Sequence, residues 1–182
     1  MQIYYYGGKN PQNTALIQMI LKTFPISVSL ISQTQGNMTL DELIKGQTNN
    51  AELKLLPDID VIIFHELSDD TISEIIEQLK QKQITIPYKC VVTKHNRLWK
   101  LIDLCKELIA EHEYFNSYEK LRQCIAEVSE LQETDYTETS WKNYEAAFMS
   151  GYFYLQKQAA KNELDATIQV IITAKTQLCK KS

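Results

Sequence analysis

At 182 residues, with 44% hydrophobic and 23% charged side chains, the chain has ordinary globular composition and enough apolar matter for a sizeable core, in one domain or two small ones. Its formal net charge is -4 and its Lys and Arg residues are scattered along the chain, so there is no basic stripe to displace counterions from a phosphate backbone, and nucleic acid is not an expected partner. No apolar run reaches the roughly 18 residues of a membrane span, and the start MQIYYYGGKNPQN lacks a basic stretch followed by a long apolar one; the expectation is a cytoplasmic protein without a membrane partner.

Gln2 to Tyr6 is β-branched and aromatic, a strand by composition that stops at Gly7-Gly8. Asn10-Pro11 opens a helix, with Asn as cap and Pro where a missing N–H costs nothing. Leu16, Ile17, Ile20, Leu21 and Phe24 give that helix an inner face before Pro25 ends it. Ile26 to Ser32 alternates as a half-buried strand does. Thr39 and Glu42 have the reciprocal capping spacing and start a short helix through Ile44, after which Gly46, Asn49 and Asn50 mark a loop.

Asp60 to His65 is a continuous apolar run, as in a strand covered on both faces. Thr71 and Glu74 repeat the capping spacing before a stripe of Ile72, Ile75, Ile76 and Leu79. Pro87 precedes a strand from Tyr88 to Thr93. A long helix follows, with Leu98, Leu101, Ile102, Cys105, Leu108, Ile109 and His112 on one face and Arg97, Lys100, Asp103, Lys106, Glu107 and Glu111 on the other. On this pattern Trp99 and Leu108 are expected to be structural.

From Asn116 onward there is no strand signal. Three helices are expected, at about 116–132, 137–156 and 162–179, with inner stripes led by Leu121, by Trp141, Tyr144, Phe148, Tyr152 and Leu155, and by Leu164, Ile168, Ile171 and Ile172. Of the remaining aromatics, Phe153 or Tyr154 is the better candidate for exposure. The strand and helix alternation predicts an α/β domain over 1–114: a small open sheet of four parallel strands in the flavodoxin-like order 2-1-3-4, flanked by helices. An all-α domain over 116–182, an antiparallel three-helix bundle, is expected to follow.

Two resemblances bear on these halves. The run Pro87 to Asn96, with Trp99, Leu101, Glu107 and Glu111-His112, resembles a prokaryotic domain-of-unknown-function family whose signature is a Pro-led strand ending in Thr, then Asn, Trp and Leu. That resemblance covers roughly 60–113 and implies no activity. Asp135 to Trp141, with Ala146, Ala147, Glu163 and Ala166, is similar to a FIVAR module ("found in various architectures"), covering roughly 118–178. This second resemblance implies a three-helix bundle and makes a glycan an alternative ligand.

In a parallel α/β sheet, ligands bind beyond the carboxyl ends of the strands, which here would gather Lys9 and Asn10, His65, Glu66, Asp69 and Asp70, and Thr93, Lys94, His95 and Asn96. These residue types could hold an anion or a metal, and His65, Asp69 or Asp70, and His95 form the metal-ligand alternative. Gly7-Gly8-Lys9-Asn10 lacks the spacing of a phosphate loop, and no clustered carboxylates or nucleophile elbow are present. Cys90, Cys105, Cys124 and Cys179 lie far apart and read as buried thiols rather than a zinc site or disulfide framework. No catalytic residue, metal or cofactor is expected. The leading expectation is a non-catalytic binding or adaptor protein with a protein partner; the alternatives are a small-molecule or metal sensor or enzyme at the sheet's carboxyl edge, and carbohydrate binding through the bundle.

Overall fold

A computed structural model of the chain describes residues 1–47 and 53–181. The chain divides into two compact units, Met1–Ala110 and Glu111–Ser182. The reading of Asn49 and Asn50 as loop lies outside the described residues.

The first unit is built on β1 (Gln2–Gly7), β2 (Ser27–Leu30), β3 (Asp60–His65) and β4 (Tyr88–Val91), in the sheet order β2-β1-β3-β4. The order is the expected one, but the sheet is mixed rather than parallel. β1 runs parallel to β2 and β3 parallel to β4, whereas the central pair is antiparallel, with Gln2 opposite His65 and Gly7 opposite Asp60. Each half is therefore a β-α-β unit followed by a helix, and the sheet is not flavodoxin-like.

The direction changes in the connection between β2 and β3. β1 and β2 are joined through a 3-10 turn (Pro11–Asn13) and α1 (Thr14–Leu21), β3 and β4 through α3 (Asp69–Gln81). α2 (Leu40–Ile44) has five residues. At 1.5 Å per residue it advances about 7.5 Å, against the roughly 20 Å of a six-residue strand, so this helix alone does not span the sheet as a full crossover helix does. The chain re-enters instead at the edge where β1 ends: the Gly8 N–H donates to the Ile59 carbonyl at 3.0 Å, and β3 starts from there in the opposite direction.

Alternation along β1 feeds two cores. Ile3 and Tyr5 pack with Ile62 and Phe64 against Ile17, Ile20 and Leu21 of α1 and Ile75 and Leu79 of α3. Tyr4 and Tyr6 pack with Val61 and Ile63 against Leu40 and Leu43 of α2 and Leu101, Leu104, Cys105 and Leu108 of α4 (Leu101–Ala126). Local signals hold at two helix starts, with one shift. Thr39 and Glu42 form the reciprocal cap of α2; α3 is capped by Ser68, whose hydroxyl accepts from the Thr71 N–H, three residues ahead of the expected cap.

α4 is one helix to Ala126, where a break near residue 115 is expected from sequence. No Gly or Pro interrupts it, and the Ser117 hydroxyl donates to Asp165 at 2.6 Å instead of competing for the helix backbone. In the second unit the later part of α4, α5 (Glu138–Gln156) and α6 (Lys161–Thr176) enclose Leu121, Tyr144, Ala147, Leu164, Ile168 and Ile171. Gly151 is the close-approach point: a Cβ there would lie 2.7 Å from Ile171 Cδ1. That approach turns the inner stripe through residues 144, 147, 151 and 155, so Tyr152, expected inside, is 48% exposed. Tyr154 is packed partly against the core and Phe153 is exposed.

Candidate functional site

The antiparallel centre divides the residues expected along one ligand edge. Lys9 and Asn10 follow β1 at one end of the sheet, whereas His65, Glu66, Asp69 and Asp70 follow β3, and Thr93, Lys94, His95 and Asn96 follow β4, at the opposite end. No single constellation forms from both sets.

At the first end, the Asp60 carboxylate is 95% buried and already occupies the loop. Its Oδ1 accepts from the backbone N–H groups of Lys9 (3.1 Å) and Asn10 (3.0 Å), and its Oδ2 from the Asn10 side-chain amide at 2.6 Å. The donors that would cradle an external anion are thus bound to an internal one. The Lys9 side chain is exposed, and Asn10 is a loop fastener rather than a helix cap. Asp60 was not singled out from sequence; as the first residue of an apolar strand it is a polar residue entering a core, which is the available signal.

At the other end the side chains also have structural work. Asn96 Oδ1 accepts from the Thr93 N–H at 2.8 Å, its amide donates to the Val91 carbonyl at 2.9 Å, and the Thr93 hydroxyl accepts from the Asn96 N–H at 3.3 Å. Asp69 and Asp70 occupy the first turn of α3, where carboxylates oppose the helix dipole favourably. His65 Nε2 lies 3.8 Å from Glu66, while Lys94 and His95 are exposed. Among the described residues, no three His, Cys, Asp or Glu side chains group as a metal site would require. All four cysteines are free thiols; burial, with Cys90 nearby, pushes the Cys105 thiol up to about 12, so it stays protonated and poorly nucleophilic at neutral pH.

The residues missed as surface are Leu98 and Trp99. Both precede α4 instead of lying inside it, and they are 75% and 41% exposed. Their exposure is not that of a loose loop. The Trp99 N–H donates to the Asn96 carbonyl at 2.8 Å, the Trp99 carbonyl accepts from Leu40 at 3.1 Å, the Arg97 carbonyl accepts from Asp41 at 2.9 Å, and Leu101 donates to Met38 at 2.8 Å. Arg97 Nε and Lys45 Nζ add ion pairs to the two Asp41 oxygens at 2.6 and 2.5 Å. Hydrogen bonding to Lys45 and then Arg97 holds the Asp41 carboxyl below its ordinary pKa. Leu98 and Trp99, with Lys100, Asp103 and Glu107, line a shallow depression of about 440 Å³.

In the second unit, Trp141 stacks on Tyr136 with ring centres 5.9 Å apart and meets Tyr144 edge-on at 6.0 Å, so it is a packing element. Met149, Tyr152 and Phe153 are exposed on α5, and the Lys157 ammonium lies 5.4 Å from the Phe153 ring centre. No helix among the described residues is long and apolar enough to cross a membrane.

Residues 60–115 match the model of a domain of unknown function, DUF3783. The match covers less than a third of the chain, beginning at the first residue of β3 and taking in α3, β4 and the first part of α4. It therefore includes the Leu98–Trp99 turn and excludes the Lys9–Asn10 loop. No curated protein and no solved structure matches the chain.

Proposed function

We propose that the chain is a non-catalytic binding protein that docks a protein partner on the Leu98–Trp99 turn. The observation that carries this reading is a large aromatic and a large aliphatic side chain, side by side and solvent-facing, on a backbone held at both ends by hydrogen bonds and by the Asp41 ion pairs. Aromatic anchors dominate binding energy at protein interfaces, and a rigid backbone lowers the entropy lost on docking. Lys100, Asp103 and Glu107 supply the polar rim such a patch carries.

The FIVAR-like reading of the second unit draws support from its three packed helices, and that unit's exposed α5 aromatics make it a second contact surface for the same adaptor role. Carbohydrate binding through Trp141 is less favoured, since its ring is already stacked. A metal-dependent sensor or enzyme at His65, Asp69 and His95 is less favoured because its ligands do not gather.

A photo-crosslinking residue at Leu98, compared with the same residue at exposed Lys22, tests the docking surface in cells. A protein captured at position 98, absent at 22 and lost on Trp99→Ala, is the expected result. Identical capture profiles at the two positions would remove the reading.

A further inference from the structure

β1 and β2 are adjacent parallel strands whose outgoing connections pass to opposite faces of the sheet: α1 packs in the core with Tyr5, α2 in the core with Tyr6. In open α/β sheets the gap between such diverging connections is where small molecules bind. Here the gap is a half-open crevice of about 330 Å³, large enough for one small molecule. We propose that this crevice binds an uncharged nucleoside, held through its base. The proposal is independent of protein docking on Trp99, which lies elsewhere in the first unit.

The lining selects the ligand chemistry. Pro11, Leu30 and Ile31 are apolar walls, Thr14 and Gln33 bring a hydroxyl and an amide, and Gly7-Gly8 brings bare backbone. A flat heterocycle with apolar faces and a hydrogen-bonding edge suits two aliphatic walls and a few polar groups. A sugar, with hydroxyls around its ring, would leave several unmet against Leu30 and Ile31.

Phosphate is disfavoured on two grounds. Among the described residues no charged side chain lines the crevice, and the Gly8, Lys9 and Asn10 N–H groups are already given to the Ile59 carbonyl and to Asp60. Asp60 also places a carboxylate behind the loop, where it repels a second anion.

The Tyr6 hydroxyl is an unmet donor packed against Gly8, sealed from solvent at the crevice lining. Tyr6 lines the crevice and is 96% buried, and its hydroxyl has no hydrogen-bond partner. It stands against Gly8, within 2.5 Å of where a Cβ would be, so only glycine leaves backbone alone between it and the loop. Unpaired buried hydroxyls are costly, and a bound acceptor would relieve this one.

Amide spectra of the ¹⁵N-labelled full chain, titrated with adenosine, inosine, cytidine, uridine, AMP, inorganic phosphate and glucose, test the proposal. At least one nucleoside is expected to shift Gly7, Gly8, Thr14 and Gln33 saturably, with phosphate and glucose silent and AMP no tighter than adenosine. Tyr6→Phe and Thr14→Val should each weaken binding about tenfold, the worth of one buried hydrogen bond. Tyr6→Phe should leave the melting temperature equal or higher, which separates lost binding from lost folding. No shift with any nucleoside up to about 10 mM, an affinity too weak to count as specific, would overturn the proposal. Tighter binding of AMP or phosphate, glucose shifts at the same amides, or unchanged affinity in either variant would overturn it equally.

Discussion

Asn10 and Asp60 are joined twice: the backbone N–H of Asn10 donates to one carboxylate oxygen at 3.0 Å and its side-chain amide to the other at 2.6 Å. This pair links the loop after β1 to the start of its antiparallel neighbour. Asp60→Asn keeps an acceptor for the two backbone N–H groups and lets the Asn10 amide turn over to accept from the new NH2, whereas Asn10→Asp would set two carboxylates facing each other. Asn10→Asp is expected to destabilise by about 2 to 4 kcal/mol and Asp60→Asn by about 1 kcal/mol. The double swap Asn10→Asp with Asp60→Asn restores donor to acceptor and should recover at least half of the loss in urea unfolding. Additive losses would show that the contact is not what holds the loop.

The Leu98–Trp99 turn and Leu108 should separate cleanly on mutation. Leu98→Ala is expected to change stability by less than about 0.5 kcal/mol and Trp99→Ala by about 1 kcal/mol, given its partial exposure. Leu108→Ala, in the core, should cost about 2 to 5 kcal/mol. Trp99→Asp should yield a folded, soluble protein, contrary to the expectation from helical spacing, whereas Leu108→Asp should not fold. Melting curves of the five variants decide this.

Asn96 positions the turn without being part of the exposed surface. Asn96→Ala removes its bonds to the Thr93 N–H and the Val91 carbonyl and should cost about 1 to 3 kcal/mol. It should also reduce crosslinking from position 98, because Trp99 would lose its fixed backbone. Asn96→Asp keeps the acceptor for Thr93 and should retain part of both effects.

Asp41 links acid stability to the same turn. Its carboxyl is held below the ordinary value of 3.8, through hydrogen bonds first from Lys45 and then from Arg97. A lowered folded-state pKa gives stability that is present above the unfolded value and is lost as the pH falls through the folded one. Urea midpoints of the chain should therefore fall as the pH drops below about 4, and Arg97→Ala should make that fall shallower. An identical slope in both proteins would show that the pairs contribute nothing.

The last residues clasp the bundle. Thr137 donates to the Cys179 carbonyl at 2.8 Å, Lys181 to the Asp135 carbonyl at 2.9 Å, and the Cys179 N–H to the Ser140 hydroxyl at 3.1 Å. Truncation after Gln177 removes all three and should accelerate hydrogen exchange at Thr137 and in the first turn of α5, with Leu164 to Ile171 still protected.

Much of the fold is local and so was legible in sequence. The β-branched and aromatic runs mark the four strands, the Thr39 and Glu42 pair marks the start of α2, and the spacing of Leu101, Cys105 and Leu108 marks the buried face of α4. Each depends on residues within a turn or two of one another. The direction of β3 does not. It depends on where the chain re-enters the sheet after α2, marked by the Gly8–Ile59 bond between segments some fifty residues apart. That one reversal sends Asn10 and His95 to opposite ends, and the pairing of residues 38–41 with 97–101 holds Leu98 out of the expected helical stripe and, with Trp99, in solvent. Sequence by itself determined which strands form and in what lateral order, though not that α4 runs unbroken past residue 115; tertiary structure decided which of their ends meet, because strand direction is set by non-local hydrogen bonds that periodicity does not encode.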